Sequence, residues 1–299
     1  MKRIAIFTFL LFFNISLAQK KELRKAQKLY DAGDVSEASK VLENSESLFE
    51  NADQKVKPKY EFLKGKIAQN NKDFQSAYDL FTSLKGIASI KDEVEQQFIL
   101  LSADIVDSAI NDNEIGDFKS SSEKLYLAYL IDPETNQEYL YFAASGAVNA
   151  ELFDVSLDYY IQLKDINYTG VEKKYFVTEV GSGIEIEVDQ TQFDLYKKTK
   201  DYTNFREEET ESKFPEIVKN IALIYKQMGD NDKAMTAVKE ARLSNPDDLN
   251  LILTEANIYI ELGEKVRFKE LMSEAIAQDP NNANLYYNLA VVTSDLGDK

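Results

Sequence analysis

The chain has 299 residues, and its 52 acidic side chains outnumber its 35 basic ones, so the formal net charge is −17. It contains no histidine and no cysteine, which excludes His-assisted serine catalysis, cysteine nucleophiles, thiolate or imidazole zinc sites, and redox thiols. Such an acidic balance repels nucleic acid and anionic membrane surfaces. We therefore expect a protein without a catalytic centre, metal site, cofactor or nucleic-acid partner.

The first residues, MKRIAIFTFLLFFNISLAQ, have the layout of a cleaved secretory signal. The basic pair Lys2-Arg3 precedes an apolar run from Ile4 to Phe13, and small residues lead to a cut after Ala18. The run is too short for a membrane span of about 20 residues, and a lipoprotein would need a cysteine at the cut. A disulfide-free exported chain of this size is typical of bacteria. We predict that residues 1–18 are removed and that the mature chain is periplasmic or secreted, without membrane insertion.

Residues 19–167 contain about four degenerate copies of a helix–turn–helix pattern. The segments AQKLYDAGDVSEASKVL (26–42) and YEFLKGKIAQNNKDFQSAYDLF (60–81) show the first two copies. Two weaker copies are marked by Gly116 and Ala128, and by Ala143 and Ser156. Apolar residues recur three and four positions apart, as in helices with one buried stripe.

Residues 168–214 interrupt this pattern with far more chain than a helix–helix connection needs. The segment YFVTEVGSGIEIEVDQ (175–190) alternates apolar and polar residues around Gly-Ser-Gly, which predicts a β-hairpin. An acidic stretch that is compatible with helix follows, from Gln190 to Lys213.

A three-residue Gly-Ser-Gly loop would set the register of this hairpin. It predicts three cross-strand pairs: Val180 with Ile184, Thr178 with Ile186, and Phe176 with Val188. A lone hairpin is marginal in water, so we expect this largely apolar face to lie on the helical array. The opposite face would carry Glu179, Glu185 and Glu187. It is either a solvated surface or a contact for a basic partner or a cation.

Residues 215–299 repeat with a period of 34. The spacing is shared by Gly229, Gly263 and Gly297, by Ala222, Ala256 and Ala290, by Pro246 and Pro280, by Ala241 and Ala275, and by Tyr225 and Tyr259. Two full blocks (215–248 and 249–282) and a half block follow from this period. One helix pair cannot bury its own apolar face, so stacking is required.

This pattern resembles the tetratricopeptide repeat family. The matching positions in the first block are Val218, Ile221, Ala222, Tyr225, Gly229, Ala234, Val238, Ala241 and Pro246, and in the second Ile252, Ala256, Tyr259, Gly263, Met272, Ala275 and Pro280. The second block departs at Glu255, where Leu is usual, and at Phe268, where Ala is usual. The resemblance implies an all-α fold, an α-α superhelix or solenoid, here with a β-hairpin-containing insertion.

The resemblance also implies a concave binding surface lined by the first helix of each repeat. Its residues would be Lys219, Leu223, Lys226, Asn257, Ile260 and Tyr287. Some relatives hold a peptide carboxylate with a Lys and Asn clamp. Leu223 takes a clamp position that has Asn in those relatives, so the clamp does not carry over. Lys219, Lys226 and Asn257 could still contact a peptide, or they could be ordinary surface residues.

The function expected from these features is an exported, non-enzymatic scaffold that binds protein or peptide partners in the bacterial envelope. The alternative is a ligand-binding module, for example for carbohydrate in nutrient uptake. Such a module would need clustered aromatics, and the dense group is Tyr139, Tyr141, Phe142, Tyr159 and Tyr160. A hydrolase with carboxylates in the insertion is a third, less favoured class.

The last apolar helix motif, ANLYYNLAVVTSDLGDK, would leave aromatic residues uncovered at the edge of the array. We therefore expect either that the array originally continued beyond Lys299, or that this edge associates with another copy.

Overall fold

The computed structural model describes residues 2–50, 52–53 and 55–295, with the side chains of all these residues except 2–16, 244 and 295. This part of the chain forms two compact units that divide after Ala150. Paired helices form most of both units, and a small antiparallel sheet interrupts the second. The predicted all-α solenoid with a hairpin-containing insertion is confirmed.

The first unit is helical throughout its regular structure. Its helices are α1 (Lys2–Asp31), α2 (Val35–Asn44), α3 (Glu46–Phe49), α4 (Lys57–Asn70), α5 (Phe74–Leu84), α6 (Lys91–Glu114), α7 (Phe118–Ile131) and α8 (Gln137–Asn149). Neighbours along the chain pack together as α1 with α2, α4 with α5, α6 with α7, and α7 with α8. Two buried clusters, around Leu63 and around Phe81, form the core of this unit.

Close helix approach in the α4–α5 pair depends on a small residue. A Cβ atom at Gly65 would lie 2.4 Å from Cε1 of Phe81, closer than atoms can approach. The ring of Phe81 is fully buried at this contact. Gly65 therefore lets the two helices pack at a distance that any side chain would prevent.

The turns inside the helix pairs share one left-handed geometry. Gly33, Gly116, Gly229 and Gly263 all have φ between 81° and 87°. At each of them the next residue's N–H bonds back to a carbonyl five residues earlier, as from Asp230 to Tyr225 at 2.8 Å. Lys72 takes the same position with φ 61° and the same bond, from Asp73 to Ala68 at 2.9 Å.

Helix α1 runs without a break through the predicted signal cleavage position after Ala18. Gln19 is buried, and its Nε2 donates to the carbonyl oxygen of Leu48 at 2.6 Å. Among the described residues, no helix combines the length and the apolar character needed to cross a membrane.

The second unit contains the sheet and the most regular repeats. Its elements are α9 (Phe153–Asp165), β1 (Lys173–Glu179), β2 (Glu185–Val188), α10 (Gln190–Tyr196), β3 (Tyr202–Glu209), α11 (Phe214–Gln227), α12 (Asn231–Ser244), α13 (Leu249–Glu261), α14 (Lys265–Gln278) and α15 (Ala283–Asp295). The helices α11 to α15 follow the period of 34 residues. Their cores surround Ala222 and Val238 in one repeat, and Ala256 and Met272 in the next.

The predicted hairpin register is wrong by one residue. β1 pairs with β2 through Tyr175 and Val188, Phe176 and Glu187, Val177 and Ile186, and Thr178 and Glu185. The loop has four residues instead of three: the N–H of Glu179 bonds to Ile184, and the N–H of Gly183 bonds to Glu179. Because a shift of one residue exchanges the faces of a strand, Phe176 and Thr178 lie opposite glutamates and not opposite Val188 and Ile186.

A third strand, which the sequence pattern did not predict, completes the sheet in the order β2-β1-β3. The stretch from Gln190 to Lys213, expected to be compatible with helix, divides into the short helix α10 and the strand β3. β3 pairs antiparallel with β1, with an irregularity between Phe176 and Thr178. The three glutamates 207–209 lie in β3.

The apolar face of the sheet has its own cover, contrary to the expectation that it lies on the helical array. Phe193 of α10 is 2% exposed, and its ring lies 4.9 Å from that of Tyr175 and 5.6 Å from that of Phe205. Val177 lies two residues after Tyr175, on the same face of β1, and is fully buried. The insertion is therefore a small β-β-α-β element with a core of its own.

Two chain segments enter and leave this element side by side. The N–H of Lys213 donates to Thr169 O at 2.7 Å, and the N–H of Thr210 donates to Glu172 O at 2.9 Å. The N–H of Glu172 also donates to Thr210 Oγ1 at 2.9 Å. These three hydrogen bonds close the base of the element.

Candidate functional site

One apolar concavity on the first unit lies along α6 and α8, above α7. Its volume is about 460 Å³. We call it the α6–α8 groove, and its lining residues are Val106, Ala109, Ile110, Asn113, Ser121, Leu125, Tyr139, Phe142, Ser145, Gly146 and Asn149. Ile110 is 51% exposed and Phe142 is 41% exposed. Large apolar side chains at that exposure leave surface for a partner to cover.

Small residues bring α7 and α8 together beneath the groove. Ser122 is buried, and its hydroxyl donates to the carbonyl oxygen of Ala143 at 2.7 Å. A Cβ atom at Gly146 would lie 3.3 Å from Cβ of Ser122, which is tight contact. Small residues of these two helices, Ser121, Ser145 and Gly146, therefore line part of the groove.

A second concavity continues the apolar surface toward the start of α6. Its volume is about 540 Å³, and Ile99, Ser102 and Ala103 of α6 line it. Tyr139 lines both concavities. Together Ile99, Ala103, Val106 and Ile110 form one stripe along α6, with the four- and three-residue spacing of a single helix face.

Acidic side chains dominate the three helices around the groove. Helices α6, α7 and α8 carry three lysines against nine carboxylates, a net charge of −6. Each lysine has a carboxylate within 4 Å: Lys91 with Glu95 at 3.6 Å, Lys119 with Glu123 at 3.9 Å, and Lys124 with Asp112 at 2.5 Å. The six remaining carboxylates are in none of these ion pairs.

The binding residues predicted for the C-terminal repeats lie on the first helices of those repeats. Lys219, Leu223 and Lys226 are on α11, Asn257 and Ile260 on α13, and Tyr287 on α15. Lys226 is joined to Glu261 of α13 by an ion pair of 3.0 Å.

The other predicted residues of this C-terminal surface differ in exposure. Ile260 packs partly buried against the core of the last repeat, whereas Asn257 is exposed and Tyr287 is 70% exposed. The binding role of these residues stays a prediction.

The three glutamates predicted for the outer face of the hairpin do not share one face. In the observed register Glu185 lies opposite Thr178 and Glu187 opposite Phe176, which leaves Glu179 on the other side of β1. Glu185 is bound by Arg206 at 3.0 Å, and Glu187 lies 3.5 Å from Lys174. Glu179 accepts from the hydroxyl of Ser182 at 2.6 Å.

Neighbouring cations therefore offset most of the acidic charge on the face of Glu185 and Glu187. Across the described residues, no cluster of three or more acidic side chains is placed to hold a metal ion.

Most of the dense aromatic group belongs to the core. Tyr141, Tyr159 and Tyr160 are buried, and the hydroxyl of Tyr160 accepts from Asn220 Nδ2 at 3.0 Å. Tyr139 and Phe142 are the two members that reach the surface, and both line the α6–α8 groove. Three of the five aromatic side chains that the carbohydrate alternative would use are therefore buried, and that alternative stays a prediction.

The sequence reasoning missed the α6–α8 groove, although the sequence contains a signal for it. Helix α6 carries a buried stripe that includes Val94, Phe98, Leu101 and Ile105. The exposed stripe described above adds a second apolar face to the same helix. A helix that is apolar on two faces is either enclosed or has a surface for a partner.

Comparison with known proteins gives one family and several similar folds. The profile of the family described as tetratricopeptide repeat matches residues 225–291. No curated protein sequence matches the chain. Among solved structures, the chain is similar to MamA, with 13% identity over 74% of this chain and 96% of that one, at a TM-score of 0.37.

Two further structures are similar. For PilW, described as a widely conserved type IV pilus biogenesis factor, the identity is 13%, the coverage 91% of this chain and 98% of that one, and the TM-score 0.37. For YrrB, described as a tetratricopeptide repeat protein with an unusual peptide-binding site, the identity is 11%, the coverage 66% and 79%, and the TM-score 0.35. The family profile, the period of 34 residues and the glycine turns between paired helices identify residues 225–291 as tetratricopeptide repeats.

Proposed function

We propose that the chain is a non-enzymatic scaffold that binds a protein or peptide partner, and that the α6–α8 groove is the binding surface. The observation that carries this proposal is the exposed apolar lining, in which Ile110 is 51% and Phe142 is 41% exposed. Covering such side chains contributes about 25 cal/mol for each Å² of apolar surface removed from water.

The C-terminal surface is the weaker candidate for the same role. Its cation Lys226 is already paired with Glu261 at 3.0 Å, so a partner carboxylate would have to compete with that pair. Its apolar member Ile260 is partly buried in the repeat core. No charged side chain lines the α6–α8 groove, so a partner would not have to break an ion pair among its lining residues.

Site-specific photocrosslinking tests the proposal. A photoreactive amino acid placed at Ile110 or at Phe142 should give the same crosslinked product in cells that make the protein. The matched control is Leu243, which is 83% exposed on α12 and far along the chain from the groove. Introducing Val106→Glu should remove the product at both groove positions. Identical products from Leu243, or products that survive Val106→Glu, would contradict a binding role for the groove.

We also propose that the protein acts in the bacterial envelope after removal of residues 1–18. The support is the basic start, the short apolar run and the small residues before Gln19. Sequencing the amino terminus of the protein from a periplasmic extract or from the medium should give Gln19 as the first residue. A full-length chain retained in the cytoplasm would contradict export.

Self-association through the last helix is a separate proposal. Tyr286, Tyr287 and Val291 of α15 are all exposed, and a group of exposed apolar side chains favours association. Light scattering should show a dimer that Tyr287→Lys converts to a monomer. A monomer at the highest soluble concentration of the parent would contradict self-association.

A further inference from the structure

We infer that the occupant of the α6–α8 groove is an apolar segment flanked by lysine or arginine residues. This inference rests on the proposed function and adds the chemistry of the partner. Two properties of the groove carry it: the side chains of the lining, and the charges beside the lining.

The lining fits aliphatic or aromatic side chains. Its residues are apolar or uncharged, and its polar members near the surface are Asn113, Ser145 and Asn149. None of the lining side chains can neutralise a buried charge on a partner. Because a charge buried without a counter-charge is costly, the part of the partner that enters the groove has to be uncharged.

The surroundings of the lining fit cations. On α6, Asp107 and Glu114 directly follow the lining residues Val106 and Asn113, and on α8 Glu138 directly precedes Tyr139. All three carboxylates are exposed. They lie beside the lining at successive positions along α6 and at the start of α8.

The lysines of α6, α7 and α8 already form ion pairs with other carboxylates. All three lysines of α6, α7 and α8 lie within 4 Å of another carboxylate, with Lys124 also donating to Ser108 at 2.9 Å. The six carboxylates outside these pairs leave the three helices with a net charge of −6. A partner with basic flanks gains attraction at these positions, and one with acidic flanks is repelled. A second copy of this chain, with a net charge of −17, would bring more repulsion.

Three synthetic fluorescent peptides test the inference with the full chain. All three share one apolar core with leucines at helical spacing, and they carry two lysines, two serines or two glutamates on each side. Fluorescence anisotropy should rank their affinities lysine, serine, glutamate, with on the order of a tenfold difference between the extremes at low salt. Added salt should reduce the difference, because exposed charges are screened beyond about 10 Å at 0.1 M salt.

Variants then identify the groups responsible. Replacing Glu114→Gln together with Glu138→Gln should weaken the lysine peptide several-fold and leave the serine peptide unchanged. The matched control, Glu211→Gln with Glu216→Gln, changes two exposed carboxylates of the second unit and should change neither affinity. Ile110→Lys should weaken all three peptides.

The outcomes separate the two proposals. Equal binding of the three peptides, lost in Ile110→Lys, would keep the groove as a binding surface and overturn the charge preference. Tightest binding by the glutamate peptide would also overturn it. Absence of binding by all three peptides, or binding unaffected by Ile110→Lys, would overturn both the inference and the groove.

Discussion

The guanidinium of Arg242 donates to the carboxylate of Glu255 across 3.0 Å, and Glu255 is only 4% exposed. The same guanidinium donates to Glu274 at 2.7 Å. The three residues lie on α12, α13 and α14, so one cation joins two consecutive repeats. Glu255 stands where the repeat pattern usually has Leu, and the arginine explains why a carboxylate is tolerated there.

Removing this arginine should be costly. Arg242→Met leaves Glu255 buried without its cation, and breaking a buried pair typically costs about 3–5 kcal/mol. Urea unfolding monitored by circular dichroism measures the change. The double variant Arg242→Met with Glu255→Leu should recover most of the loss, because an apolar pair of similar volume replaces a buried ion pair at little cost. Arg267→Met, which removes an exposed i,i+3 pair with Glu270, is the control and should change little. If the double variant loses as much stability as the two single variants together, the coupling between Arg242 and Glu255 is contradicted.

Gly65 should not tolerate a methyl group. In Gly65→Ala the new Cβ lies 2.4 Å from the Phe81 ring, and overpacking of this kind costs about 1–3 kcal/mol. That loss outweighs the gain in helix propensity of up to about 1 kcal/mol. Thermal unfolding should show a lower Tm, restored in part by Phe81→Leu. Gly181→Ala, where the space around the Cβ is open, should leave Tm unchanged.

Lys72 and Gly229 should respond in opposite directions to substitution. Both take left-handed backbone at the turn inside a repeat, with φ 61° and 83°, and that conformation costs a non-glycine residue about 1–2 kcal/mol. Lys72→Gly removes this cost, but glycine loses more backbone entropy on folding. The free energy of unfolding should therefore rise by no more than about 1 kcal/mol. Gly229→Ala should lower it by about 1 kcal/mol. Stabilisation by Gly229→Ala would contradict the turn geometry.

Two helix caps should make stability depend on pH in the acid range. Asp117 caps α7, where hydrogen bonds from Ser120 lower the pKa of its carboxyl, and Asp230 caps α12, where hydrogen bonds from Lys233 lower the pKa. Because both pKa values are lower in the folded state, the charged caps stabilise fully above the unfolded value of about 3.9. This contribution is lost as the pH falls through the folded pKa.

A titration of Tm tests the two caps. The Tm difference between the parent and Asp117→Asn with Asp230→Asn should be largest near neutral pH and should shrink below about pH 4. Asparagine keeps the capping geometry without a charge. A Tm difference that does not change with pH would show that the carboxylate charge has no part in the caps.

The sheet element should unfold without the helices. Phe193→Ala removes the ring that contacts Tyr175 and Phe205, at a cost of about 3–5 kcal/mol. A small three-stranded sheet with one short helix has little stability to spare. Hydrogen exchange should show loss of protection at Val177, with protection retained in the core of α11 at Ala222. Leu195→Ala on the exposed side of α10 should leave both unchanged.

The helical repeats were predictable because local chemistry and period agree at every turn. In the C-terminal repeats, glycine in the left-handed turn and alanine at helix contacts recur 34 residues apart, as at Gly229 and Gly263, so each repeat supports the prediction of the next. Strand β3 was not predictable, because its sequence YTNFREEE has no clear alternation. Pairing with β1 and the contact of Phe205 with Phe193 hold it in place.

The hairpin register was predicted wrongly and the groove was not predicted, for different physical reasons. Both Gly-Ser-Gly and Val-Gly-Ser-Gly can form a hairpin loop, and the choice between three and four residues fixes which side chains share a face. The groove could be predicted only from a second apolar stripe on α6, and its floor depends on the approach of α7 and α8 at Gly146. The family positions pointed to the C-terminal repeats, where the pattern is most regular.

The base of the sheet element has a consequence for how this protein could have changed over time. Thr169 and Lys213 are joined by one hydrogen bond of 2.7 Å, so the chain leaves the helical repeats and returns to them at nearly the same point. A few residues could bridge that gap. The element could therefore be acquired, lost or exchanged between relatives as a single cassette, while the repeats on either side keep their connection.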